Sequence, residues 1–262
     1  MTTQTPTWFD THAHLDFIPQ PADTLEQARQ AGVANWVVPG VSSRNWPQLL
    51  ELCRRHPEVF AASGLHPQAA AEWNKDTAAE LEKSLDHPQV IAVGEIGLDR
   101  LLDAPSREKQ RDALCGQLRI AIAAKKPVLI HCRKAYGELV EILIEERAEQ
   151  VGGILHAYGG SLETARTAID LGFVIAFGGS LTWPEARRAP ELLAALPKEA
   201  IVLETDAPDM APHPYRGQQN RPEWLPLIAA KVAEIRGWSL AETAEITTRN
   251  AHRALNLPSL RV

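Results

Sequence analysis

The sequence predicts an α/β protein folded as a closed (β/α)8 TIM barrel, one domain across residues 1–262. Three observations predict it. Eight short apolar or β-branched runs alternate with longer stretches of helical spacing, the pattern of parallel strands joined by crossover helices. Eight such units within 262 residues match the usual size of such a barrel. The first run ends in His12-Ala-His14, where an open doubly wound sheet, the competing architecture, would carry a Gly-rich phosphate loop.

In chain order, the runs that read as strands are 8–12, 35–38, 59–65, 90–96, 127–132, 153–156, 173–177 and 201–205. Between them the period changes to 3.6. Trp46, Leu49, Leu50 and Cys53 fall at i, i+3, i+4 and i+7, and Leu114, Leu118, Ala121 and Ile122 repeat an equivalent stripe. Leu139, Ile142 and Leu143 begin a third; spacing of this kind marks faces that pack on a sheet. After the last strand comes a Pro-rich loop, 207–214, and then two helical stretches from about Arg221. Neither a linker, a charge block nor a repeat divides the chain.

Composition narrows the function. With 45% hydrophobic and 23% charged residues the chain can build a packed core. A balance of 27 Lys and Arg against 33 Asp and Glu, net −6, excludes a broad basic clamp on nucleic acid. Cys53, Cys115 and Cys132 are odd in number and far apart, which fits reduced thiols in a cytoplasmic protein. The N-terminus reads as no secretory leader, and no run reaches the ~18 apolar residues of a membrane span.

The nine histidines are the unusual feature. His12, His14, His66, His131 and His156 stand at or just past strand ends, and Glu95 and Asp206 do the same. From His14 it is 52 residues to His66 and 81 to Glu95; from there the steps are 36 to His131, 25 to His156 and 50 to Asp206. These intervals keep step with a β/α unit, so a closed barrel brings the residues to one mouth. His12 and His14, two apart, project to the same side of a strand. Imidazoles mixed with carboxylates suit zinc, manganese or iron better than an all-oxygen shell would, and six ligand-capable groups exceed one mononuclear zinc site. Two divalent ions sharing Glu95 is the better count. His56 and His87 fit helix ends, His252 a structural role in the last helix, and His213 a plain loop position.

The pattern resembles the TatD family of metal-dependent hydrolases, more closely its YjjV-like branch. The matching segments are Phe9-Asp-Thr-His-Ala-His-Leu-Asp16, Gly64-Leu-His-Pro67, Gly94-Glu-Ile-Gly-Leu-Asp99, Ile130-His-Cys-Arg133, His156-Ala-Tyr-Gly-Gly-Ser161, Leu203-Glu-Thr-Asp-Ala-Pro208 and Asn220-Arg-Pro222, in the family's order. The resemblance implies a TIM-barrel DNase that uses divalent cations (zinc, manganese, magnesium or iron). It places His12, His14 and Asp206 on one metal and His131 and His156 on the other, with Glu95 bridging. His66 and Arg133 would face the substrate phosphate, and Glu204 would assist an additional metal. The chain departs from the family in Arg100-Leu-Leu102, where aromatics are common, and in Tyr158-Gly159, where Phe-Ser is common.

The expected chemistry is phosphoester hydrolysis by a metal-activated water, with Asp206 as ligand and general base and with Glu95 and His66 completing the catalytic set. Asp10, two residues before His12, is expected to orient an imidazole. The expected substrate is a short stretch of DNA, an end or a single strand, or another phosphoester; for DNA, Tyr158, Trp183 and Tyr215 are available to stack on bases and Lys134 and Arg216 to meet phosphates. No membrane or protein partner is indicated. Two alternatives stand: an amidohydrolase-type enzyme acting on C–N, lactone or other ester bonds, and a non-catalytic metal-binding protein.

Overall fold

A computed structural model describes residues 6–258. Its strands are β1 (Trp8–Asp10), β2 (Val33–Pro39), β3 (Val59–Ser63), β4 (Val90–Asp99), β5 (Val128–Arg133), β6 (Gly153–Leu155), β7 (Phe173–Phe177) and β8 (Ile201–Leu203). They form one parallel eight-stranded sheet in sequential order. The ends of β8 and β1 meet through main-chain bonds from Thr11 N to Leu203 O (3.0 Å), Asp206 N to His12 O (2.9 Å) and His14 N to Ala207 O (2.7 Å). The expected barrel is therefore present.

Alternation along each strand sorts side chains into two cores. Val37, Leu129, Val174, Ala176 and Val202 point inward and fill the barrel with Phe9 and Ile154. Trp36, Val38, Ile130 and Ile175 point outward against the helices. Because the interior is packed with side chains, the barrel is not a pore, and open space is left at its mouth.

The helices are α1 (Pro21–Gln30), α2 (Trp46–Arg55), α3 (Lys75–Ser84), α4 (Arg107–Ala123), α5 (Tyr136–Glu145), α6 (Leu162–Asp170), α7 (Arg188–Ala195), α8 (Leu225–Arg236) and α9 (Leu240–Ala254). On α2, Trp46, Leu49 and Cys53 are buried as expected, Leu50 packs half-buried against the same core, and Leu52 is buried as well. The stripe on α4 buries Leu114, Leu118 and Ala121, with Ile122 on its flank, and Leu139, Ile142 and Leu143 bury the face of α5. Helix α9 closes the end of the barrel where the strands begin: Thr248 bonds Thr7 O, Asn250 bonds Ile201 O, and Ala251 and Leu255 enter the interior core.

β1 and β8 stop earlier than their sequence patterns suggest. Each has three residues, because beyond Asp10 and Leu203 the two segments bond to one another instead of extending a ladder. β4 is longer than foreseen and runs on to Asp99.

Candidate metal centre

His12 and His14 project from the end of β1 with their Nε2 atoms 3.3 Å apart. Glu95 Oε2, from β4, lies 3.4 and 3.7 Å from those two nitrogens, and Asp206 Oδ1, past β8, lies 3.8 and 3.7 Å from them. A tetrahedral shell with bonds of about 2.0–2.1 Å has donor–donor edges of roughly 3.3–3.4 Å. His12, His14 and Asp206 are thus close enough together to share one small cation, and Glu95 lies against the two imidazoles. Both Nδ1 atoms are buried without a partner, while the two Nε2 atoms face the carboxylates.

Glu95 turns its other oxygen to a second group. Oε1 lies 2.9 Å from His131 Nδ1 and 4.0 Å from His66 Nε2, and these three residues form a separate set of donors. His156 Nε2 is 3.9 Å from Glu95 Oε1 and 3.7 Å from Asp206 Oδ1, while its ring stacks on His12 with centroids 3.6 Å apart. His156 also stands within reach of His12 and Glu95, and His131 within reach of His66 and Glu95, while both imidazoles face the same oxygen of Glu95, Oε1. Beside each ring a different carboxylate anchors it.

Under His156 that carboxylate is Glu204, which accepts from Nδ1 at 2.9 Å and from Ala157 N at 2.7 Å. With both oxygens committed and the residue fully buried, Glu204 is not placed to hold an additional metal. It orients His156 instead, leaving Nε2 free to point at the centre. Beside His131 the carboxylate is Asp99, whose Oδ2 lies 3.2 Å from Nε2 and 3.7 Å from Arg133 Nη1. Sequence reasoning left Asp99 unassigned, although Glu95, Gly97 and Asp99 alternate onto one side of β4. Gly97 is required between them: a Cβ there would stand 1.8 Å from His131 O, at a φ of +152°. Asp10 also differs from expectation. It accepts the main-chain N–H of His12 (3.3 Å) and both the N–H (2.9 Å) and hydroxyl (2.5 Å) of Thr205, so it clamps β1 to the end of β8 and touches no imidazole.

Burial lowers His12 and His14, keeping both rings neutral with lone pairs to offer. Burial alone would raise Glu95, but the surrounding imidazoles, His12 and His66 foremost, and a hydrogen bond from His131 hold it well below the carboxylate range. His131 and His156 are both raised against their own burial by carboxylate partners, Asp99 and Glu95 for the first and Glu204 and Asp206 for the second. Burial lifts Asp206 to about 8. Burial also drops His66 to about 4, and its Nδ1 accepts Gln68 N–H at 3.1 Å. The neutral His66 ring therefore carries its hydrogen on Nε2 and offers the site a donor, not a ligand.

The donors lie on the floor of a cleft of about 890 Å³, lined among others by Phe17, Arg133, Trp183, Asp209 and Arg216. Arg216 lies over the Trp183 ring at 4.2 Å. Tyr215 stacks on Trp224, and Lys134 is exposed in the loop after β5. Tyr158 is not free to stack on anything bound: it is 6% exposed, and its hydroxyl bonds Ser161 O and Thr164 Oγ1. His56 terminates α2, His87 accepts Gln89 N–H, and His252 bonds Pro258 O, all three structural as expected. No helix among the described residues is long and apolar enough to cross a membrane.

The family model for TatD-related DNases matches residues 9–256. The metal-dependent hydrolase YabD of Bacillus subtilis (strain 168) is 34% identical over 252 residues, covering 95% of this chain and 99% of its own length. A protein of Erwinia tasmaniensis named 3'-5' ssDNA/RNA exonuclease TatD is 34% identical, with 89% of this chain and 92% of its own covered. The crystal structure of YjjV, a TatD homologue of Escherichia coli K12, superposes with a TM-score of 0.91 at 34% identity, over 97% of this chain and all of that one.

Proposed function

The chain belongs to the TatD-related DNase family of metal-dependent hydrolases, and from that premise we propose that it hydrolyses phosphodiester bonds of DNA, at an end or in a single strand, with two divalent ions. The observation that carries this reading is Glu95, whose two oxygens face two separate donor groups from the middle of the cleft floor. A carboxylate placed in this way suits a shared ligand of a two-ion phosphoester site. His12, His14 and Asp206 would hold one ion and His131 and His156 the other, with Glu95 offering an oxygen to each. Such ions supply charge neutralisation at the phosphoryl oxygens and lower the pKa of water.

The chain's own groups do the rest. Asp206, beside His12 and His14 on the floor of the cleft, accepts the proton from the attacking water. His66 donates its Nε2–H to a phosphoryl oxygen, and Arg133 at the rim adds a second cationic donor. Glu204 orients His156 so that Nε2 faces the centre, and Asp99 anchors the His131 ring from the side away from Glu95. Among the described residues no lysine lines the cleft, which favours this reading over an amidohydrolase-type site bridged by a modified lysine. The exonuclease name of the Erwinia relative supports a nucleic-acid substrate. The free thiols of Cys53, Cys115 and Cys132 support a cytoplasmic location.

The test strips the protein of metal, reloads it with magnesium, manganese or zinc, and presents end-labelled single-stranded DNA, a phosphodiester reporter and an amide and lactone panel. We expect metal-dependent cleavage of the DNA, about two ions per chain, and a loss of ~10²–10⁴-fold in Asp206→Asn. Equal background from wild type and variant on every phosphoester would overturn the proposal.

A further inference from the structure

Directly after the His12-Ala-His14 segment the chain makes a single helical turn, Leu15–Phe17, and that turn is firmly held. Leu15 is fully buried, Phe17 N bonds His14 O at 3.0 Å, and Gln48 Nε2 bonds Asp16 O at 3.0 Å. Phe17, however, is left 44% exposed. Among the described residues it is the only exposed large hydrophobic side chain that lines the cleft. Its ring lies nearly parallel to that of His14, 11° between planes and 5.5 Å between centroids. One face of the phenyl is thus covered by an imidazole of the centre while the cleft lies alongside. Leaving such a ring in water forfeits apolar burial, and an anchored flat apolar face beside a hydrolytic centre is what stacks on a nucleobase.

We propose that Phe17 is a specificity-determining residue that stacks on the base of the nucleotide adjoining the scissile phosphate, so that the enzyme selects phosphodiesters bearing a base at that position. The inference rests on the phosphodiesterase reading above. Trp183, which bonds Ala211 O and carries Arg216 over its ring, lines the same cleft from the β7 side and is already covered on one face by that cation. Phe17 has no such cover from a charged group.

The test compares kcat/KM on two end-labelled single-stranded oligonucleotides of one sequence, one intact and one carrying base-free sugar analogues in its terminal nucleotides. It is run on the metal-loaded wild type, Phe17→Ala and Phe17→Trp, with bound metal measured in each. We expect wild type to prefer the intact strand by about tenfold or more, Phe17→Ala to reduce that preference to near one, and Phe17→Trp to retain it. If Phe17→Ala lowers both substrates by the same factor and leaves the preference intact, the ring only supports His14 and the proposal is overturned. A wild type that shows no preference overturns it too. If wild type cleaves neither strand, the phosphodiesterase reading itself fails, a result distinct from a lost preference.

Discussion

Replacing Glu204 by glutamine tests how the centre is held from beneath. In the wild type, Glu204 accepts His156 Nδ1–H at 2.9 Å and Ala157 N–H at 2.7 Å in a fully buried position. A glutamine can keep the Ala157 bond through its carbonyl oxygen, but it then presents its NH₂ to His156 Nδ1. A donor against a donor forces the neutral ring to move its hydrogen to Nε2, the atom that lies 3.7 Å from Asp206 and 3.9 Å from Glu95. The lone pair that a metal would use is then occupied. The lost bond to a buried charge is worth about 1.5–3 kcal/mol, or roughly 10- to 150-fold in an equilibrium constant. Zinc affinity, measured by competition with a chromogenic chelator, should fall by about 10–100-fold. Activity should recover as metal is raised, and Glu204→Asp should sit between the two. A Glu204→Gln protein whose affinity stays within about twofold of wild type would refute the orienting role and reopen Glu204 as a spectator.

Asp10→Ala should destabilise the protein by about 2–5 kcal/mol in urea unfolding, because it orphans the buried N–H and hydroxyl of Thr205 where β8 meets β1; a change below about 1 kcal/mol would mean the clamp is dispensable. Gly97→Ala should fail to reach native stability or lose metal binding outright, since the new Cβ meets His131 O at 1.8 Å and strand β5 must move; calorimetry and metal analysis check both. Burial pushes the thiols of Cys53 and Cys115 up to about 12 and about 11. In the native protein, alkylation of the partly exposed Cys115 at pH 8 should run ~10²-fold slower than that of a free thiol with a pKa near 8.5, and should rise about tenfold per pH unit as the thiolate forms. Fast labelling near pH 8 would show that the thiol is not buried as described.

Much of this protein is legible in its sequence, because a barrel writes itself as a period. The alternation of Val37 inward with Trp36 and Val38 outward, and the helical stripe of Leu139, Ile142 and Leu143, are local regularities that need no knowledge of the whole. The strand-end positions of His12, His14, Glu95, His131, His156 and Asp206 are equally visible, since the barrel repeat converts spacing along the chain into convergence at one mouth. What spacing cannot convey is which atom of each side chain meets which. That depends on contacts between residues far apart in sequence: Glu204 under His156, 48 positions away, and Asp99 beside His131, 32 away, decide how the imidazoles turn and therefore how the donors group. The same holds for Asp10, which reaches across 195 residues to Thr205 instead of to a neighbouring ring. Residue types and their period determined the fold and the membership of the site. Only the closed tertiary structure, in which buried carboxylates must find partners wherever the strands bring them, determined the orientation of each donor and the exposure of Phe17 at the rim.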